Sequence, residues 1–213
     1  MADAIIFDLD GTLWDATGQT VRIWNEVFAQ RPDISLRLTQ DDFRRLMGKT
    51  MEDIGALLFP QKSVSERNFI MDLCGQQEVL SLRKTGGMLY EGVAETLSIL
   101  AEEFPLMIVS NCQAGYVSAF LEAHGLERYF YDFEESGKTG MPKSDNIRLI
   151  MERNHIDRAV YVGDTEGDQA AAERAGIPFV FAAYGFGEIH SDTSETIQQF
   201  TDLPARVRKM FTP

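Results

Sequence analysis

The chain has 213 residues, 44 % of them hydrophobic, enough for one well-filled core and one or two domains. Its net charge is −13 and its basic residues cluster no further than pairs such as Arg44-Arg45, which argues against a phosphate-backbone footprint for DNA or RNA. No apolar run approaches the roughly eighteen residues of a membrane span, and the N-terminal stretch lacks a basic region ahead of an apolar one, so a cytoplasmic protein with no membrane partner is expected.

In chain order, the first expected strand covers residues 4–9, where the apolar run Ala4-Ile5-Ile6-Phe7 leads into acids. Residues 16–87 then break any strand–helix alternation. They carry amphipathic helical patterns at 21–31, 39–47, 51–59 and 65–82, which makes them an inserted helical cap joined to the rest by two hinges. After Gly86-Gly87 the alternation resumes. Helices are expected at 92–103, 113–125, 144–154 and 168–176, and strands at 106–110, 159–163 and 179–182, with a last short strand and helix at 195–200 and 203–211. Strands that alternate with helices imply a parallel sheet covered by helices. The expected architecture is therefore α/β, with a Rossmann-like core from residues 1–15 and 88–213 and a helical cap domain from 16–87. Cys74 and Cys112 have no metal-type or redox-type spacing and are expected as reduced thiols. Trp14 and Trp24 read as packing residues; His124, His155 and His190 are too scattered to form a site.

Chemistry concentrates where expected strands end. Asp8 and Asp10 of Asp8-Leu9-Asp10-Gly11-Thr12 leave the first strand on the same face, and Gly11 lets the chain turn sharply behind them. Two carboxylates about 4 Å apart repel by roughly 4 kcal/mol at an effective dielectric near 20, so they need a shared proton or a cation. Taken alone, the stretch is equally a helix cap or a turn of the kind that Asp, Gly and Thr favour. Ser110 and Asn111 close the strand at 106–110, a place suited to holding an anion. Lys143 stands directly before the expected helix start Ser144-Asp145, where its ammonium would enter the same crevice; Lys138, five residues earlier, is the alternative. Gly163-Asp164-Thr165-Glu166-Gly167-Asp168 follows a strand and offers two more carboxylates, oxygen ligands of the kind Mg²⁺ takes.

Four such signals in this order resemble the haloacid dehalogenase superfamily of phosphohydrolases. The resemblance spans nearly the whole chain, and Tyr90-Glu91-Gly92-Val93 with Ala171 through Pro178 resembles its phosphoglycolate-phosphatase-like branch. One departure stands at the third motif, where Pro142 precedes the lysine rather than following it. The resemblance implies that Asp8 is the nucleophile and Asp10 the acid and base. It further implies Thr12, Ser110, Asn111 and Lys143 around the phosphate, with Thr12 positioning Asp10. Mg²⁺ would be held by Asp8, Asp10, Asp164 and Asp168, with Asp10 binding through its carbonyl. Arg45 and Lys49 are cap candidates for substrate contact. The substrate implied is a small phosphorylated metabolite, phosphoglycolate or a sugar phosphate, turned over by a monomer or homodimer. An acid at position 10 favours phosphoryl transfer over carbon–halogen cleavage. A sugar-phosphate mutase of the β-phosphoglucomutase type remains the nearest alternative, and a phospho-acceptor binding module the more distant one.

Overall fold

Residues 4–7 are wholly buried, because their strand is covered on both faces and paired on both edges. The computed structural model describes residues 3–190 and 195–212. In chain order the elements are β1 (Asp3–Phe7), β2 (Trp14–Asp15), α1 (Thr17–Ala29), α2 (Gln40–Arg44), α3 (Met51–Leu58), α4 (Val64–Thr85) and β3 (Met88–Leu89). There follow α5 (Val93–Leu100), β4 (Leu106–Ser110), α6 (Tyr116–His124), β5 (Phe130–Glu135), α7 (Ser136–Thr139) and α8 (Lys143–Arg153). The chain ends with β6 (Arg158–Gly163), α9 (Glu166–Ala175), β7 (Phe179–Ala182), β8 (Thr196–Ile197) and α10 (Leu203–Phe211).

Six strands form one sheet in the order β5-β4-β1-β6-β7-β8, and every pairing in it is parallel. The period-two geometry of β1 divides its side chains between two cores. Ile5 and Phe7 face a layer containing Leu97, Leu100 and Phe120, whereas Ala4 and Ile6 face Ile147, Ile150 and Ala171. The sheet is thus the middle of a three-layer α/β sandwich, as the sequence implied. Chain order reverses between β1 and β6, and in open parallel sheets the crevice beyond the strand ends at such a reversal is where ligands bind. The first acidic turn follows β1 there, and Asp164 follows β6.

Of the elements not foreseen in the sequence, β5 and the ribbon β2–β3 bear most on the site. β5 carries three acids in six residues, Asp132, Glu134 and Glu135, which hide its strand character. The structure satisfies all three. Arg153 of α8 donates to Asp132 at 2.7 and 2.9 Å and to Glu134 at 2.5 Å, and Glu135 accepts from the backbone amides of Gly115 and Val117 at 2.8 and 2.6 Å. The second is the two-residue ribbon β2–β3, in which Trp14 pairs with Leu89 and Asp15 with Met88. Through it the chain leaves for the helical segment and returns. That segment has its own core of Trp24, Phe28, Phe43, Phe59 and Ile70. Its longest helix, α4, is set by a Ser63–Glu66 capping box and packs against both α1 and α6. Several expected boundaries shift by a few residues, and one of them bears on the site: α8 starts at Lys143 with Pro142 as its cap, so Ser144-Asp145 do not cap it. No described helix is long and apolar enough to cross a membrane.

Phe120 of α6 joins the core layer to the ribbon, with its ring 5.0 Å from Trp14 and no exposed surface. Phe120→Ala is expected to lower the unfolding free energy by about 3–5 kcal/mol, the usual cost of emptying a buried aromatic site. Urea denaturation measures this, and a loss under about 1 kcal/mol would show that Trp14 is held by other contacts.

Candidate active site

The backbone fixes the first acid before any side chain does. Asp8 N donates to Val162 O of β6 at 2.8 Å, so the acid that leaves β1 is tied to the neighbouring strand. Gly11 turns the chain with φ +84°, and a Cβ there would lie 2.1 Å from Asp164 Oδ2. A Cβ on Gly185 would lie 2.3 Å from Asp164 Cβ, so Asp164 sits in a slot with glycine on two sides. Its Oδ2 accepts from Phe186 N at 2.7 Å, and Thr12 Oγ1 donates to its Oδ1 at 3.5 Å. Thr12 therefore reaches Asp164, not Asp10 as the sequence reading had it, and its fully buried hydroxyl does not line the cavity.

Lys143 is buried between two acids, donating to Asp8 Oδ1 at 2.8 Å and to Asp168 Oδ1 at 2.6 Å. Lys138 instead is exposed and pairs with Glu134 at 3.4 Å, away from this cluster. The other oxygen of Asp168 is the acceptor of a capping box at the start of α9. Thr165 N donates to it at 3.0 Å and Thr165 Oγ1 at 2.7 Å, with Asp164 N at 3.2 Å. Both oxygens of Asp168 are thereby committed. Asp8, Asp164 and Asp168 present oxygens within 4.8 Å of one another, all buried.

Charge in this cluster does not balance, since three carboxylates face one ammonium. Burial and the Asp168 charge push Asp8 up to about 6 although Lys143 pulls it back. Burial, then Asp168 and Asp8, lifts Asp164 well above the usual carboxylate range. Burial disfavours the charge on Lys143, but Asp168 and Asp8 outweigh it and hold the ammonium well above its ordinary value. An all-oxygen donor set with surplus negative charge fits a hard divalent cation such as Mg²⁺.

Asp10 lies apart from that cluster. Its Oδ1 accepts from Trp14 Nε1 and from Tyr116 OH, both at 2.9 Å, and burial followed by the Asp8 charge pushes it up to about 8. Trp14 is thus a hydrogen-bond donor as well as a packing residue, and Tyr116 had no local signal in the sequence. Ser110, Asn111 and Lys143 line a cavity of about 50 Å³ together with Asp8 and Asp10. Lys49 lines it too, but Arg45 does not. Asn111 Nδ2 donates to Gly48 O at 2.8 Å, which brings the loop before α3 over the strand tips. The three histidines stay outside: His124 packs edge-on against Trp14 and tilted against Phe120, while His155 and His190 are exposed.

The family model for haloacid dehalogenase-like hydrolases matches residues 5–182. The chain belongs to this family. It is an enzyme, a phosphatase of the branch that includes phosphoglycolate phosphatases. The phosphoglycolate phosphatase of Rhodobacter capsulatus is 29 % identical over 214 residues, covering 96 % of this chain and 95 % of that one. Among solved structures, a haloacid dehalogenase-like family hydrolase from Streptococcus pneumoniae shares the fold with TM-score 0.80 at 20 % identity, over 96 % of this chain and 97 % of that one. CbbY from Rhodobacter sphaeroides, solved in complex with phosphate, does so with TM-score 0.78 at 21 % identity, over 95 % and 96 %.

The slot around Asp164 gives a sharp test. Gly185→Ala places a methyl group against this carboxylate, and a displacement near 1 Å in such a site costs about a hundredfold in rate. Phosphate release is expected to fall on that order while circular dichroism stays unchanged; a rate within twofold would show that the slot yields.

A second test concerns Glu78, a buried carboxylate of α4 that burial pushes up to about 7. Because its folded value lies above the ordinary 4.5, its contribution to stability is fully present below pH 4.5 and is lost as pH rises through about 7. The stability of wild type minus that of Glu78→Gln is expected to drop by about 3 kcal/mol between pH 4 and pH 8. Chemical denaturation of both proteins at the two pH values measures it; a difference that grows with pH would reverse the sign.

Proposed function

We propose that the protein is a Mg²⁺-dependent phosphatase that hydrolyses a small phosphorylated metabolite through an aspartyl-phosphate on Asp8. The reading rests on the contrast between the two acids of the first turn. One is held by an ammonium that pulls its burial-raised pKa back to about 6, whereas the other accepts two neutral donors on a single oxygen and is pushed up by burial to about 8. Paired carboxylates whose environments push their proton affinities apart divide into nucleophile and acid.

Lys143 fixes Asp8 through Oδ1, so the other oxygen is left to attack phosphorus. As the bond to the ester oxygen breaks, protonated Asp10 gives its proton to the leaving alkoxide. The carboxylate so formed on Asp10 then takes a proton from a water, whose oxygen attacks the phospho-aspartate and releases orthophosphate. Asp8 returns as a carboxylate and Asp10 as an acid, ready for the next turnover. Ser110, Asn111 and the Lys143 ammonium hold the phosphoryl oxygens. Asp8 and Asp164 side chains with the Asp10 carbonyl would hold Mg²⁺, which when bound offsets the negative charge gathering on the phosphoryl group. Asp168, with both oxygens occupied, orients Lys143 and the start of α9.

Residues 16–87 act in this reading as a cap that covers the strand tips. The Asn111–Gly48 hydrogen bond and the β2–β3 ribbon support it. Phosphoglycolate, named for the curated relatives, and sugar phosphates are the substrates to test.

Asp8→Asn is expected to abolish phosphate release while keeping the fold. Residual turnover above a tenth would remove it as nucleophile. EDTA is expected to stop release by the wild type and added Mg²⁺ to restore it. Asp10→Asn should slow release from alkyl esters by about 10²–10⁴-fold. The phosphoenzyme burst from p-nitrophenyl phosphate should suffer less, because that leaving group needs no proton; equal losses in both assays would show that Asp10 is not the acid.

A further inference from the structure

The proposed mechanism leaves one buried charged group of the cavity without a task. Glu78 of α4 lines the same cavity as Asp8 and Asp10 and is only 3 % exposed. Its Oε1 accepts from Thr20 Oγ1 at 2.7 Å, and its Oε2 accepts from Trp24 Nε1 at 3.2 Å and from Gln113 Nε2 at 2.8 Å. Three neutral donors around a carboxylate, with no lysine or arginine among them, hold it in place without cancelling its charge.

Its position along the cavity follows from its hydrogen bonds. Gln113, which donates to Glu78, accepts through its backbone carbonyl from Tyr116 N at 3.2 Å, and Tyr116 OH donates to Asp10, the acid of the leaving group, so Glu78 stands on the leaving-group side. Lys49 follows Gly48, whose carbonyl is bonded to Asn111, which places that stretch of backbone over the phosphoryl end. Beyond the small cavity, sharing its walls at Met51, Asn111, Cys112 and Gln113, opens a groove of about 900 Å³ between the helical segment and the core. Glu52, Asp53 and Asp72 line the groove, and among the described residues that do so there is no lysine or arginine. A second anionic group on the substrate would therefore meet the buried Glu78, where low dielectric strengthens the repulsion, and beyond it only the exposed acids of the groove.

Resting on the phosphatase reading, we infer that Glu78 determines the substrate class: the site takes monophosphate esters whose alcohol carries hydroxyl or amino groups and rejects those whose alcohol carries a carboxylate. A hydroxyl or ammonium donates to the remaining lone pair of Glu78 Oε1, whereas a carboxylate offers no donor and adds like charge. Departure from the substrate named for the curated relatives is the direct consequence.

The test measures, at pH 8 where Glu78 is a carboxylate, kcat/KM of the wild-type protein with Mg²⁺ for glycerol 3-phosphate, phosphoethanolamine and 2-phosphoglycolate, with p-nitrophenyl phosphate as a control. The first two are expected to exceed 2-phosphoglycolate by tenfold or more, and Glu78→Gln is expected to shrink that ratio at least tenfold. Equilibrium binding of the same three esters to Asp8→Asn is expected to follow the same order, and it decides the matter even where Glu78→Gln fails to fold. A wild-type preference for 2-phosphoglycolate, or a ratio that Glu78→Gln leaves within twofold, overturns the role of Glu78 while leaving the phosphatase intact. Absence of release from all four esters overturns both.

Discussion

The ammonium of Lys143, buried between Asp8 and Asp168, is the contact around which the site is assembled. It links three separate parts of the chain: the turn after β1, the start of α8 and the start of α9. Removing water from an ammonium costs several kcal/mol, and only two close carboxylates offset that cost. Each of those acids is fixed from behind, Asp8 by the backbone bond to Val162 and Asp168 by its capping box. The lysine thus converts three strand and helix termini into one rigid constellation, as a preorganised electrostatic site requires.

Around that pair the protein carries more negative charge than it neutralises. Asp164 is pressed into a slot bounded by Gly11 and Gly185 and cannot move away from Asp8 and Asp168. Such crowding raises the free energy of the empty cluster and gives a bound cation a correspondingly larger effect. Asp10, though still raised by the Asp8 charge, turns its Oδ1 to Trp14 and Tyr116. The helical segment adds a further carboxylate, Glu78, but surrounds it with neutral donors, so repulsion is kept for the substrate and not relieved inside the protein.

How much of this was legible depended on the range of the interaction. Ala4-Ile5-Ile6-Phe7 announced a central strand because a strand buried on both faces needs continuous apolar residues, and Asp8, Asp10, Ser110, Lys143 and Asp164 announced themselves by standing at strand or helix ends. β5 was missed because Asp132, Glu134 and Glu135 mask its pattern, and their partners Arg153, Gly115 and Val117 lie elsewhere in the chain. Thr12 was assigned to Asp10, its near neighbour in sequence, whereas the fold turns its hydroxyl toward Asp164 across the sheet.

By itself, then, the sequence determined the α/β alternation, the helical insertion and the acids and lysine placed at the tips of the elements, since local periodicity and turn chemistry act within a few residues. Which donors Asp10 receives and where Glu78 points were decided only by tertiary structure. Lys143 was favoured over Lys138 by its place at a helix start, but that the helix delivers it to Asp8, while Lys138 pairs with Glu134, is a matter of the fold. Tyr116 and Asp10, or Glu78 and Gln113, become neighbours only after the sheet order and the packing of α4 on α6 bring distant residues within hydrogen-bond reach.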